Sequence, residues 1–288
     1  MMSRLGVYLM QRSAVLPLRW VRALGWLLGH LLYLLVRSRR RVVATNLALC
    51  FPALAEGERR ALARRTFVAF GQSWMDRGWL WHAPRAVVER RLNLVGALDE
   101  MEGGAPTILF CPHFYGLDAA ATAIALNVPR RFTSIYTQQA DPLVDEWIKT
   151  GRLRFGDSRI FSRTTGLKEI VASLRAGDVF YLLPDMDFGA ADSVFVPFFG
   201  VQAATLPSVP RFARLGRAKV VTVLSRLTPQ GYTVELSTAW QDFPGPDAVE
   251  DTALMNRRLE AFIDTMPEQY YWVHKRFKTR PPGEAGVY

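Results

Sequence analysis

From Leu92 to Pro184 short apolar runs alternate with segments of helical composition, and this alternation constrains the fold more than any other feature of the chain. "LNLVG", "PTILFCP", "RFTSIYT" and "DVFYLLP" read as strands, and the helical segments between them lie near Leu117 to Leu126, from Pro142, and over "GLKEIVASLRAG". Strands that take turns with helices indicate an α/β layer with a largely parallel sheet. Further on, "AKVVTVLSRL" and "GYTVELST" are joined by "TPQG", a turn signal that reads as an antiparallel hairpin. The expected fold is therefore α/β, a mostly parallel mixed sheet flanked by helices. The sequence shows no internal repeat, low-complexity tract or linker, so residues 41–288 are expected to form one domain of catalytic size behind the N-terminal helices.

The N-terminal part has a different character. "VLPLRWVRALGWLLGHLLYLLV", Val15 to Val36, is strongly apolar. As a helix it would measure about 33 Å, close to the roughly 30 Å of a bilayer core. Arg19 and Arg22 interrupt its first third, and the arginine-free part from Ala23 would cover only about 21 Å. Such a helix either spans with both arginines snorkelling to one headgroup layer or lies obliquely in the interface; the alternative is a buried core helix. It leads into "RSRRR" and not into a small-residue cleavage site, which argues against a cleaved signal. Arg37, Arg39, Arg40 and Arg41 suit anionic lipid on the cytoplasmic side, although Arg4 and Arg12 charge the other end. Residues 1–40 are thus expected to be a membrane-attached helix with a basic flank. "EGERRALARRTFVAFGQSWMDRGWLW" reads as a long helix in which Trp79 and Trp81 are either interfacial anchors or core.

Thirty-six Lys and Arg against 26 Asp and Glu leave a net charge of +10, which suits an anionic partner: a phospholipid surface, a phosphorylated substrate, an acidic carrier protein or nucleic acid. No nucleic-acid-binding motif is recognisable. Two cysteines exclude a disulfide framework and a four-cysteine zinc pattern, and the four histidines are too far apart for a local His-based metal motif.

Ionisable residues cluster at expected strand ends. His113 follows a buried strand at the edge where open α/β sheets place their ligand crevice, and Asp118 falls in the first turns of the next helix. A carboxylate on one ring nitrogen would fix the tautomer and make the other nitrogen a general base for an alcohol. The alternative is a strand-end histidine with an aspartate as helix charge cap. Period-two alternation puts Cys111 on the face of His113, where it is a candidate nucleophile or plain core. "FYLLPDMDFG" places Asp185 and Asp187 beyond another strand end, where an Asp-x-Asp could hold Mg²⁺. The apolar "VFVPFFG" beside it reads as a hydrocarbon slot or a core strand. Arg163 precedes a predicted helix and could meet a phosphate or an oxyanion, or be simply solvated.

Taken in order, these blocks resemble the late acyltransferases of lipid A biosynthesis, the lauroyl and myristoyl branch of the lysophospholipid acyltransferase superfamily. The resemblance covers nearly the whole chain, from the apolar N-terminal helix through "RVVATNLALCFPALAEGERR", "PHFYGLD", "IFSRTTGLKEI" and "LLPDMDFGAADSVFVPFFG" to "YYWVHKRFKTRPPGE". It implies a glycerol-3-phosphate acyltransferase-like fold, with His113 as base, Asp118 as its orienting partner, Arg163 as a substrate or oxyanion contact, and Asp185 and Asp187 in the substrate-binding block. It also implies acyl carrier protein as donor, a phosphorylated glucosamine glycolipid as acceptor, inner-membrane lipid as surroundings on the cytoplasmic face, and no metal or other cofactor. The residues themselves leave other readings open: an acyltransferase of the same superfamily acting on a lysophospholipid, ornithine lipid or other glycolipid, a metal-dependent glycosyltransferase using Asp185 and Asp187, or a non-enzymatic binder of anionic lipid.

Overall fold

The computed structural model describes residues 2–288; Met1, the first residue of the 1–40 segment, lies outside the described residues. Four helices open the chain: α1 (Met2–Ser13), α2 (Leu18–Leu35), α3 (Arg37–Cys50) and α4 (Glu56–His82). The apolar run expected as one helix over Val15–Val36 starts after Pro17, which stands at the α2 N-cap, and ends one residue earlier, at Leu35. Eighteen residues at 1.5 Å each give α2 about 27 Å. No helix among the described residues is long and apolar enough to cross a membrane.

The α2 helix is laid along α4 with the two backbones in contact. A Cβ added to Gly25 would stand 2.5 Å from Gln72 Cα, one on Gly29 2.5 Å from the Phe67 carbonyl oxygen, and one on Gly71 2.3 Å from the Gly25 carbonyl oxygen. Only glycine fits at that crossing. Arg22, expected to snorkel toward headgroups, is instead buried: its guanidinium meets Asp76 of α4 at 3.0 Å, donates to the Gly231 carbonyl at 3.0 Å and lies over the Tyr232 ring. An arginine inside the fold needs that carboxylate and those acceptors, because a buried unpaired charge is strongly penalised. Trp79 and Trp81 are core residues, nearly or fully buried.

The rest of the chain runs α5 (Arg85–Arg91), β1 (Leu92–Gly96), β2 (Thr107–Phe110), α6 (Leu117–Asn127), β3 (Phe132–Tyr136), α7 (Pro142–Arg152), β4 (Ser158–Ser162), α8 (Leu167–Arg175), β5 (Val179–Leu182), β6 (Val194–Phe198), β7 (Val201–Thr205), α9 (Ser208–Gly216), β8 (Lys219–Thr228), β9 (Gly231–Leu236) and α10 (Ala248–Thr265). Seven strands form one sheet in the order β1-β9-β8-β2-β5-β3-β4, and β6 and β7 make a separate hairpin. Every pairing in the large sheet is parallel except β8 with β9, the hairpin expected around "TPQG". β2 and β5 are buried at every position, as strands covered on both faces must be, which is why they read as unbroken apolar runs. "VFVPFFG" is β6 and its turn. Phe198 is fully buried and packs on Phe199, Tyr270 and Phe277, so this residue and the buried Val196 belong to the core.

Candidate active site

β2 and β5 lie side by side in parallel with Phe110 opposite Leu182. Three residues beyond each of these paired ends stand His113 and Asp185, and the shared register brings them together. The His113 ring Nδ1 lies 2.7 Å from Asp185 Oδ1, and the His113 backbone N–H donates to the same carboxylate at 3.0 and 3.2 Å. Because a carboxylate only accepts, the proton of the neutral imidazole is on Nδ1 and the lone pair is on Nε2. Nε2 makes no hydrogen bond among the described residues, and a fifth of the His113 side chain is exposed, against none of Asp185. Burial alone would push the Asp185 carboxyl up; the His113 charge and hydrogen bonds, with the Tyr270 hydroxyl, outweigh it and hold it below the ordinary value. The His113 backbone is fixed in turn, its carbonyl accepting from the Tyr271 N–H at 3.0 Å and Phe114 bridging to Tyr270.

Asp118, expected as the imidazole's partner, has its carboxylate elsewhere. It sits in the first turn of α6 and accepts from Arg77 Nε and Nη2 at 2.9 and 2.7 Å and from Arg152 Nε at 2.9 Å. Burial would raise its pKa, but Arg152 and Arg77, by charge and by hydrogen bonds, bring it below the ordinary value. Gly151 makes this cluster reachable: a Cβ there would stand 2.2 Å from the Trp81 indole, so α7 rests directly on α4 and sets Arg152 toward the carboxylate that Arg77 also meets. Neither arginine was legible as a site residue, since each is one cation on a helix in a basic chain and only the tertiary fold joins them.

The other expected residues divide. Asp187 accepts from the Thr279 N–H at 2.7 Å, from the Thr279 hydroxyl at 2.8 Å and from the Gly189 N–H at 2.9 Å. Its own N–H donates to His274 Nε2 at 2.9 Å, so Asp187 ties the C-terminal segment to the β5 loop. No group of three or more His, Cys, Asp or Glu side chains able to hold a metal ion occurs among the described residues. Arg163 is exposed in the turn after β4, separated from α8 by three residues, with its guanidinium over the Phe188 ring at 4.9 Å, on the segment that follows Asp185. Cys111 is buried, its Sγ 2.6 Å from the Tyr181 hydroxyl, and it packs with the cluster under α6. Burial pushes its thiol far up, the reverse of what a thiolate nucleophile needs.

A largely apolar groove of about 390 Å³, with Arg39 and His274 in its lining, lies beside the residues that neighbour the imidazole. Met186, next to Asp185, and Tyr271, whose ring centroid is 6.1 Å from that of His113, line it at one side; Phe67 and Phe70 of α4 and Leu32 and Val36 at the end of α2 complete the wall. The groove thus runs from Met186 and Tyr271, the neighbours of Asp185 and His113, to the end of the apolar α2 helix. The bacterial lipid A biosynthesis acyltransferase family matches residues 1–279. The chain belongs to this family. It is 33% identical over 291 residues to the lipid A biosynthesis lauroyltransferase of Escherichia coli (strain K12), covering 99% of this chain and 94% of that one. It is 31% identical over 289 residues to the lipid A biosynthesis myristoyltransferase of the same organism, covering 99% and 89%. The lipid A biosynthesis acyltransferase of Haemophilus influenzae is 32% identical over 288 residues, covering 97% and 88%. The chain is an acyltransferase with a lipid A-type acceptor, and this membership sets aside the glycosyltransferase and non-enzymatic readings. Relatives named for different acyl chains stand at nearly equal identity, so similarity alone does not select a chain length.

Proposed function

We propose that this acyltransferase moves a fatty acyl chain from acyl carrier protein to a hydroxyl of a phosphorylated lipid A precursor, at the cytoplasmic face of the inner membrane. The observation that carries the mechanism is an imidazole locked by Asp185 through Nδ1, with Nε2 unpaired, whose neighbour Tyr271 lines a largely apolar groove. In the proposed reaction Nε2 takes the acceptor hydroxyl proton as that oxygen attacks the thioester carbonyl. The tetrahedral intermediate collapses with loss of the thiolate, and His113 returns the proton to sulfur. Arg152, a third exposed beside Asp118, and the exposed Arg163 are the cations available to a developing oxyanion or an acceptor phosphate. In this arrangement Asp185 orients the base, and Asp118 enters the site by holding Arg77 and Arg152.

Membrane attachment is supported by the outer face of α2. Its glycine face is spent on α4, while Trp20, Leu24, Trp26, Leu27, Leu31, Leu34 and Leu35 are exposed. Burying half of the five leucine side chains in lipid would be worth roughly 4–8 kcal/mol, from about 1.5–3 kcal/mol per fully buried side chain. The helix then lies in the interface with its groove end open to acyl chains, which requires no spanning segment. Mass spectrometry of total lipid A and phospholipids from cells with and without the gene tests the assignment. The expected result is lipid A short of one acyl chain with phospholipids unchanged; a change confined to lysophospholipid, ornithine lipid or another glycolipid would transfer the activity to that acceptor.

A further inference from the structure

A second cleft of about 420 Å³ flanks α2 on the side away from the acyl groove. On α4, at 100° per residue, Arg65, Ala69 and Gln72 form a stripe about 180° from Phe67, Phe70 and Trp74, so α2 separates two grooves. The acyl groove has one arginine, Arg39, in its lining, beside His274. This one is lined by Arg64, Arg65, His30 and Gln72, with Trp26 at its rim. Neither Arg64 nor Arg65 forms an ion pair among the described residues; the Arg64 guanidinium only lies over the Tyr33 ring at 5.9 Å. His30 bonds the Trp26 carbonyl through Nδ1 and its ring lies tilted against that indole, centroids 4.1 Å apart, which leaves Nε2 unused. Glu268 is the single carboxylate in the lining and pairs with neither arginine. Trp26 also belongs to the exposed apolar face of α2, so a membrane that receives this face brings its headgroups level with the cleft.

We propose that this cleft binds the phosphate of an anionic phospholipid of the surrounding leaflet, with Arg64 and Arg65 as the charged donors and His30 and Gln72 beside them. The inference rests on α2 lying in the membrane interface. The occupant is a bulk lipid and not the acceptor, because Met186 and Tyr271, the neighbours of Asp185 and His113, line the other groove and not this cleft. Guanidinium groups left without carboxylates suit a phosphate oxyanion, and the apolar rim suits the glycerol and first methylenes of a lipid. Glu268 opposes a second negative charge, which favours a monoanionic phosphodiester over a dianion.

The test uses full-length protein in neutral detergent, with short-chain phosphatidylglycerol as probe and short-chain phosphatidylcholine and inorganic phosphate as comparisons, read by binding isotherms. Phosphatidylglycerol is expected to bind, to weaken by about tenfold or more in the Arg64→Gln/Arg65→Gln double variant, and to tighten in Glu268→Gln. Acyl transfer to a detergent-dispersed acceptor should be unchanged in the double variant, which separates failure of this site from failure of the assigned reaction. Equal binding of phosphatidylcholine, inorganic phosphate binding as tightly as the lipid, or undiminished binding by a folded double variant would each overturn the proposal.

Discussion

Replacing Asp185 by Asn keeps the shape of the site and removes the charge that fixes the imidazole. In the native arrangement one carboxylate accepts from His113 Nδ1 at 2.7 Å and from the His113 backbone N–H at 3.0 and 3.2 Å. An amide has one oxygen for these two donors, and its NH₂ would face the other. If the oxygen stays on the backbone N–H, the NH₂ donates to Nδ1 and the imidazole proton moves to Nε2, which can no longer take a proton from the acceptor. Loss of general-base function is worth about 10²–10⁴-fold in turnover, and the wrong tautomer belongs toward the upper part of that range. The backbone bonds to Tyr271 and Tyr270 survive, so stability should fall by only about 1–3 kcal/mol. Asp118→Asn makes the contrast, because it leaves Arg77 and Arg152 facing each other without an anion. Its first effect should be on folding, up to about 3–5 kcal/mol, with activity falling alongside. The assay is kcat and KM on detergent-dispersed acceptor, with a thermal midpoint for each variant. A folded Asp185→Asn protein within about threefold of native turnover would refute the reasoning. So would an Asp118→Asn protein of native midpoint that has lost catalysis while Asp185→Asn keeps it.

Arg22→Ala leaves Asp76 buried and uncompensated and is expected to destabilise by about 3–5 kcal/mol, seen as a lower thermal midpoint; an unchanged midpoint would restore the snorkelling arginine. Burial pushes the His274 imidazole from its ordinary 6.5 down to about 4, so the unfolded chain binds the extra proton first. Stability should therefore fall by roughly 3 kcal/mol as pH drops from about 6.5 toward 4, and His274→Gln, which keeps an acceptor for the Asp187 N–H, should flatten that window in a series of midpoints against pH. Cys111→Ser should retain most activity, because the thiol is buried against Tyr181; a trapped acyl-Cys111 species on mass spectrometry would contradict it.

The sheet was legible because strands buried on both faces read as continuous apolar runs, and "PTILFCP" and "DVFYLLP" became neighbouring β2 and β5. His113 was legible for the same reason, since it stands just past one of those runs. Its partner was not, because which carboxylate reaches the ring is decided by strand register. His113 and Asp185 are equally far past paired ends, whereas Asp118 is nearer in sequence but turned into α4 and α7. The apolar N-terminal run carried two signals in one stretch. Its glycines at 25 and 29 mark a helix-packing face and its leucines the opposite one, and Arg22, which resembled a headgroup anchor, lies on the packed side. Asp187 and "VFVPFFG" resembled site elements because they border Asp185, and the fold uses Asp187 to tie down the C-terminal segment and Phe198 for packing.

The most direct measurement is acyl transfer by purified full-length protein, wild type and His113→Ala, from acyl carrier protein thioester to a detergent-dispersed lipid A precursor, with the product identified by mass. The wild type should add one acyl chain to the acceptor without added metal, and folded His113→Ala should be slower by about 10²–10⁴-fold with little change in KM. Near-native turnover by His113→Ala would contradict His113 as the base.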